Sequence, residues 1–479
     1  MKKQYIIILF LVTTLFSSCD DYLDVEPKDM VTVDKTLTTA DGYTSAITGV
    51  YQILQDVYNP DSFLMGNGTD VLANTYAEPY DDFSYMLTKI HHYEFDNTQV
   101  ETQISAAFLN LYKAIANINI IIENIENETA LTIDEVNFIE GEAKALRAFI
   151  HFDLWRLFGT VPDDTATASE VILPYALNVT NGPIDYVNYE TYFSYILADL
   201  EDAKNALSVS DPIVKYTKEA LNNLGSIDEY PNLGWYGRQN RFNYYATLGT
   251  LARVELWMGN NQKAYEYAKE VVDAKNEDAS LKFELGTSAN LGNGDYALFT
   301  EQLFGIETLD YDDIPYAATS YYAHCVNGQY IIQQFYTSAS DIRLSLFETT
   351  ENSALSWDAQ CTKKYSKMTE NDVSEYKSIP VIRLSEMYLI LIESAPTLAE
   401  AQEYYDTFIN TRFDIGTTLT EANRQETVLN QYIKELWAEG QIFYAYKRLN
   451  LEMLPISFQE MNADKYRVKL PEGETNSGI

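Results

Sequence analysis

The sequence predicts a mostly α-helical protein in which paired helices form a scaffold and long irregular loops carry the ligand surface. Three observations predict this fold class. Apolar residues recur at steps of three and four, two stretches resemble tetratricopeptide hairpins, and the stretches between the helices are long and rich in tyrosine. No Pro-, Gly- or Ser-rich linker divides the chain, so we expect one domain over residues 19–479.

The first residues predict an export signal over residues 1–18. Two lysines follow the initiating methionine, an apolar run covers residues 5–16, and two serines precede Cys19. The run is too short to cross a bilayer, and no later stretch approaches the roughly 20 apolar residues that a membrane-spanning helix needs. Cys19 stands where a bacterial lipoprotein signal places its acylated cysteine. We therefore expect lipid chains at Cys19 to hold the mature protein at a membrane.

Helical periodicity is clearest in four stretches, which run from Leu111 to Ile125, from Ala143 to Leu157, from Tyr189 to Leu207 and from Leu429 to Phe443. Gly159 and Pro162 supply a stop for the second stretch.

Two further stretches predict helical hairpins. In the first hairpin, the small residues Ala252 and Ala264 flank a turn at Gly259, which lets two helices approach closely. Glu255 departs from the tetratricopeptide pattern there. The second hairpin joins Val381–Ser394 to Leu398–Phe413.

The loops lie around residues 59–97, 211–243 and 285–322, and their length and aromatic content favour ordered, functional segments.

Composition excludes several classes of function. The 71 acidic and 33 basic side chains give a net charge of −38, which argues against a nucleic-acid partner. The four histidines show no metal-ligand spacing, and no nucleophile elbow or phosphate-binding glycine loop is present. With so many carboxylates, any two fall at a plausible catalytic distance by chance, and none is singled out. We expect no catalysis, cofactor or metal, and the pairing of Cys325 and Cys361 stays open.

Several motifs resemble the SusD/RagB family of nutrient-binding outer-membrane lipoproteins. Residues 142–162 follow the pattern Glu-Ala-x-x-x-Arg-Ala, Asp-Leu and Gly-x-x-Pro of that family almost throughout. Further likenesses cover residues 19–27, 251–256, 383–394 and 409–412. Within these motifs, Arg147, Arg253, Arg383 and Glu386 lie on otherwise apolar helices, where we expect buried ion pairs or helix caps. Gln441, in the stretch 435–448, and the ending 466–471 depart from the family pattern and suggest a divergent subfamily.

The resemblance implies a surface-exposed lipoprotein of the outer membrane that captures a glycan and hands it to a SusC-like TonB-dependent transporter. Family members act as a lid over that barrel, with the helical hairpins facing the transporter. Some relatives serve peptide importers, so a peptide-binding role is the alternative, and an adhesive or assembly role is a third class.

Aromatic residues in the loops are the candidate ligand-binding residues, because ring faces stack on sugars while Asn, Asp and Tyr take sugar hydroxyls. The alternative for each ring is that it packs its loop onto the helices. The candidates form three groups: Trp235 and Tyr236, flanked by Gly234 and Gly237; Tyr76, Tyr80 and Tyr85 with Asp70 and Asn74; and Tyr321 with Tyr322.

Overall fold

The computed structural model is mostly helical and describes residues 36–75, 85–126, 128–162, 169–170, 172–180, 182–227, 233–307, 325–326, 332, 334–350, 359–362, 364–365 and 378–475. The export signal and Cys19 lie outside these ranges. The helices are α1 (Ala40–Val57), α2 (Thr69–Leu72), α3 (Tyr85–His91), α4 (Thr98–Ile125), α5 (Ile133–Phe158), α6 (Tyr189–Ser210), α7 (Pro212–Lys215), α8 (Lys218–Asn222), α9 (Tyr244–Trp257), α10 (Asn261–Val272), α11 (Ser288–Gly292), α12 (Leu384–Ser394), α13 (Leu398–Arg412), α14 (Arg424–Glu435), α15 (Ile442–Arg448), α16 (Ala463–Tyr466) and α17 (Glu472–Thr475).

The strands form small antiparallel sheets. They are β1 (Leu173–Pro174), β2 (Tyr186–Val187), β3 (Gln302–Glu307), β4 (Cys325–Val326), β5 (Phe347–Thr350), β6 (Ala359–Thr362) and β7 (Ser378–Arg383). Strand β1 pairs with β2, β3 pairs with β7, and β6 lies between β4 and β5. The register of the last sheet sets Cys325 opposite Cys361.

The central helices confirm three of the predicted stretches. Helix α5 begins with a capping box between Thr132 and Glu135, and it ends at Gly159. A Cβ on Gly141 would lie 2.8 Å from the Leu207 side chain, so glycine lets α6 pack closely on α5. Helix α4 is long and apolar enough to cross a membrane by length and composition, contrary to our expectation for this stretch. Half of its apolar window is buried against other helices, as in the core helix of a soluble protein.

Both predicted hairpins are present. Ala252 and Ala264 are fully buried between α9 and α10, and Gly259 has φ +77° in the turn. Glu255 accepts a hydrogen bond from Asn260 Nδ2 at 2.7 Å, which gives this unexpected carboxylate a role at the turn. The second hairpin is α12 and α13. Its first helix begins at Leu384 rather than Val381, because residues 378–383 pair with β3 as a strand.

The predicted stretch from Leu429 to Phe443 is not one helix. Helix α14 ends at Glu435 and α15 begins at Ile442, and residues 436–441 form the Leu436–Gln441 turn. Ala438 and Gly440 have φ values of +61° and +70°, which a helix does not allow. A Cβ on Gly440 would lie 2.4 Å from the carbonyl oxygen of Leu64, so the contact itself requires glycine.

The stretches expected to be irregular contain short elements. Helices α2 and α3 lie in 59–97, α7 and α8 in 211–243, and α11 and β3 in 285–322. Local capping explains some of them. Asp211 accepts from the backbone N–H of Ile213, and Pro212 occupies the first helical position, where its missing N–H is not needed.

Several tyrosines that the structure describes place their hydroxyls on carboxylates, some in the core and others at its half-buried edge. The pairs are Tyr51 with Glu142, Tyr58 with Asp153, Tyr175 with Asp199, Tyr186 with Glu474, Tyr244 with Glu270, and Tyr267 with Glu201. The three arginines of the family-like motifs also make the expected buried ion pairs. Arg147 binds Asp199, Arg253 binds Glu386, and Arg383 binds Glu301, Glu435 and Glu439.

Candidate functional site

The first candidate group, Trp235 and Tyr236, is buried rather than accessible. The Trp235 ring is 8% exposed and stacks on Phe138 of α5, with 4.0 Å between ring centroids. The Tyr236 hydroxyl donates to the carbonyl of Ile227 and accepts from its N–H, both at 3.1 Å. A Cβ on Gly234 would come within 2.7 Å of the Thr44 hydroxyl of α1. The glycine therefore permits close packing on α1 and does not leave the ring free.

A buried ion network lies beneath this loop, and we call it the Arg238 network. Arg238 contacts Glu142 at 2.8 Å and Asp211 at 3.0 Å, and Arg241 contacts Glu142 at 3.0 Å. Burial alone would raise the pKa of Glu142, but Arg241 and Arg238 hold this pKa below its ordinary value. The two arginines and two carboxylates balance in charge, and they join the loop to α5 through Glu142 and to the start of α7 through Asp211.

Asp70 and Asn74 of the second group are also buried. Asp70 Oδ1 accepts from the Gly440 N–H at 3.1 Å. Asn74 adopts φ +52°, and its Nδ2 donates to the carbonyl of Val71 at 3.1 Å. Gly234 packs on Thr44 near the start of α1, whereas the segment with Asp70 follows the end of α1 at Val57. At 1.5 Å per residue, about 20 Å of helix separates Thr44 from Val57.

The remaining candidates fall outside what the structure describes. Tyr76, Tyr80, Tyr321 and Tyr322 lie outside the described residues. Tyr85 begins α3, but its side chain is outside the described part. The three groups are therefore not shown to form one site, and their ligand-binding role stays a prediction.

Four of the described residues that border undescribed stretches lie around the Leu436–Gln441 turn and the end of α1, and we call this region the loop-bearing face. Gly440 contacts Asp70 from the segment that ends at Thr75, and the Tyr365 hydroxyl donates to the Ala438 carbonyl at 2.9 Å. Gln55 Nε2 of α1 donates to the carbonyl of Glu307 at 2.6 Å, and Glu307 lies opposite Ser378. The border residues at 75, 307, 365 and 378 thus share one side of the body. Sequence reasoning missed this convergence, because only tertiary packing creates it.

A second ion network, the Glu435 cluster, lies under the turn. It combines five carboxylates with five cations: Glu301, Asp341, Asp414, Glu435 and Glu439 with Arg343, Lys364, Arg383, Arg412 and Lys434. Burial favours a raised pKa for Glu435, but Arg412 and Arg383 hold it well below its ordinary value. The positive charges therefore stay paired with ionised carboxylates.

Neither ion network is placed to hold a metal ion. No group of three or more His, Cys, Asp or Glu in the described ranges is placed to hold a metal ion. The carboxylates of both networks are each in contact with an arginine or lysine. A cavity of about 40 Å³ lies beside Arg253, Trp257 and Tyr444, each of which carries one donor atom without a partner among the described residues. Such a volume admits water and is too small for a sugar ring.

Comparisons with known proteins match this architecture. Residues 21–224 match the profile of a SusD-like family described as starch-binding and associating with the outer membrane. A SusD-like protein of Formosa agariphila is 26% identical over 172 residues, which cover 34% of this chain and 31% of that protein. The chain thus matches less than half of that relative's length.

Solved structures show the same fold over nearly the whole chain. A SusD superfamily protein of Bacteroides thetaiotaomicron has a TM-score of 0.71 and 20% identity, and the alignment covers 92% of this chain and 98% of that one. A SusD-like carbohydrate-binding protein of Bacteroides vulgatus has a TM-score of 0.68 and 17% identity, with 91% and 96% covered. At these identities the likeness shows a shared fold.

Proposed function

We propose, given that the chain belongs to the SusD/RagB family, that it is a lipid-anchored outer-membrane protein that captures a glycan. It would deliver that glycan to a SusC-like TonB-dependent transporter and act as the lid of the barrel. The match of residues 21–224 to a starch-binding, outer-membrane-associating family carries the proposal. The carbohydrate-binding neighbour of the same fold supports it. No covalent bond forms or breaks in this step.

We place the ligand surface on the loop-bearing face. Tyr76, Tyr80, Tyr85, Tyr321 and Tyr322 would present ring faces to sugar C–H groups and hydroxyls to sugar oxygens. Asp70 and Asn74 would hold one loop from below this face, whereas Trp235 and Tyr236 would hold a second loop near the start of α1. A net charge of −38 suits a neutral glycan better than a uronic-acid polymer.

The first experiment is a binding screen of the chain from Asp20 to Ile479 against parallel panels of polysaccharides, oligosaccharides and peptides. Retention by one glycan class is the expected result, and calorimetry on that glycan would then give the affinity. Binding to peptides alone would overturn the glycan assignment in favour of peptide capture.

Variants then test the surface. The double substitution Tyr321→Ala and Tyr322→Ala should weaken glycan binding about tenfold or more, since each lost stacking ring is worth about 1 kcal/mol. The thermal midpoint should stay unchanged. Phe413→Ala, which removes an exposed ring at the end of α13, is the matched control and should bind like the wild type. Unchanged affinity in the double variant would move the site away from this group.

The transporter partner needs a separate test. The full-length lipidated chain, tagged at its C-terminus and extracted from outer membranes in mild detergent, should co-purify with a large TonB-dependent barrel. A Cys19→Ala variant, which lacks the acylation site, should be lost from the membrane fraction. Recovery of the wild-type chain without any barrel would contradict delivery to a transporter.

A further inference from the structure

The sheet β4–β6–β5 brings together the two cysteines that follow Cys19 in the chain. Strand β6 is the middle strand, and its residue Cys361 lies opposite Cys325 of β4 on one side and opposite Glu348 of β5 on the other. The register of β6 is therefore set by pairing on both of its edges. From the sequence alone the pairing stays open, because 35 residues separate the two cysteines and only the fold can bring them together.

This register meets the distance requirement of a disulfide. Residues directly opposite each other in an antiparallel pair have Cα atoms about 4.5 to 5.5 Å apart. Disulfides span Cα separations of about 4.4 to 6.8 Å. Directly opposed positions also belong to the same face of an antiparallel sheet, so the register is compatible with the bond.

We propose that Cys325 and Cys361 form an intrachain disulfide. Each thiol loses its proton and together they give up two electrons, and one S–S bond forms between them. The electrons and protons pass by thiol–disulfide exchange to a disulfide oxidant, which is reduced to two thiols. In the cell the oxidant would be a protein disulfide of the compartment beyond the inner membrane, a step that rests on the proposed export.

The bond would close a ring that contains β5 and would join β4 to β6 covalently. Tyr321 and Tyr322 precede Cys325 by four and three residues, so the bond would also tie down one end of the segment with the third candidate group.

A redox titration of the purified full-length chain tests the bond independently of export. The chain is equilibrated in buffers of reduced and oxidised glutathione, free thiols are alkylated, and peptides are mapped without reduction. We expect a peptide pair that joins Cys325 to Cys361 at the potential of an oxidising compartment, about −180 to −210 mV. Two alkylated cysteines at that potential would overturn the proposal.

A shift of register supplies the control. The variant Cys325→Ser with Val326→Cys moves the thiol one position along β4, to the place opposite Gln360 and on the other face of the sheet. It should need at least about tenfold more oxidised glutathione to reach the same fraction of the joined peptide. Equal oxidation of both chains would show that the register plays no part and would overturn the proposal. Oxidation in buffer together with reduced cysteines in cells would argue against export, not against the disulfide.

Discussion

The two buried ion networks differ in how many partners each charge has. In the Arg238 network, Asp211 contacts a single cation among the described residues, Arg238. In the Glu435 cluster, Asp341 and Asp414 each contact both Arg343 and Lys434. The first network ties one loop to two helices, whereas the second joins elements from several parts of the chain. We expect shared partners to protect a buried cluster against the loss of one member, because the remaining charge still has a counter-ion.

The largest effect is expected from Arg238→Met. The substitution keeps much of the side-chain volume but leaves Asp211 buried without a cation, so the free energy of unfolding should fall by about 3–5 kcal/mol. Urea denaturation measures the loss. Glu403→Gln, an exposed position on α13, is the control and should stay within about 0.5 kcal/mol of the wild type. A loss below about 1 kcal/mol would show that Asp211 does not depend on Arg238.

Trp235→Ala tests the aromatic rings that pack beside the Arg238 network. Phe138 lies between the Trp235 ring and the Arg238 guanidinium, which is 4.6 Å from the Phe138 centroid. Removing a buried indole should lower the free energy of unfolding by about 3 kcal/mol. The thermal midpoint would fall clearly, in contrast to a ligand-contacting ring on the surface. An unchanged midpoint with weakened glycan binding would return Trp235 to the ligand site.

Lys434→Met should have a smaller effect than Arg238→Met, although Lys434 is also buried. Asp341 and Asp414 keep Arg343, so we expect a loss of about 1–2 kcal/mol in the free energy of unfolding. The same urea series measures both variants. A loss as large as that of Arg238→Met would show that a second cation does not protect Asp341 and Asp414.

The smallest effect concerns Asp295, which lies at the margin of the Glu435 cluster. Burial raises its pKa to about 6, and its Oδ1 accepts from the Phe299 N–H at 2.7 Å. Because the folded pKa exceeds the unfolded value, Asp295 favours folding below the unfolded pKa, and this contribution is lost as pH rises through about 6. Asp295→Asn keeps the acceptor oxygen and removes the charge. The stability gained by the substitution should be about 1 kcal/mol larger at pH 7.5 than at pH 5, as thermal midpoints at both pH values would show. A gain of the same size at both pH values would exclude the charge as its cause.

Sequence patterns predicted the helices that local signals specify. They failed where contacts between distant parts of the chain determine the backbone conformation. The stretch from Ala143 to Leu157 is helical because its apolar spacing, its capping box and Gly159 agree. The break at Gly440 was missed, since periodicity does not report a left-handed residue forced by a distant carbonyl. Val381 was assigned to a helix because its pairing with β3 is non-local.

The candidate site shows the same limit. Gly234 was interpreted as leaving Trp235 accessible, whereas the glycine allows contact with Thr44 of α1. From the sequence alone, a glycine that leaves a neighbouring ring accessible looks the same as a glycine that lets two segments pack closely.

The buried ion pairs also raise the ratio of acidic to basic side chains in the rest of the chain. Of the 33 basic side chains, 11 are buried among the described residues, but only 12 of the 71 acidic ones are. Outside this buried set, 59 acidic and 22 basic side chains remain, a ratio of nearly three to one. Neighbouring copies should therefore repel each other laterally at close range, over about the 8 Å screening length of physiological salt. On a crowded membrane such repulsion keeps copies apart without any dedicated contact surface.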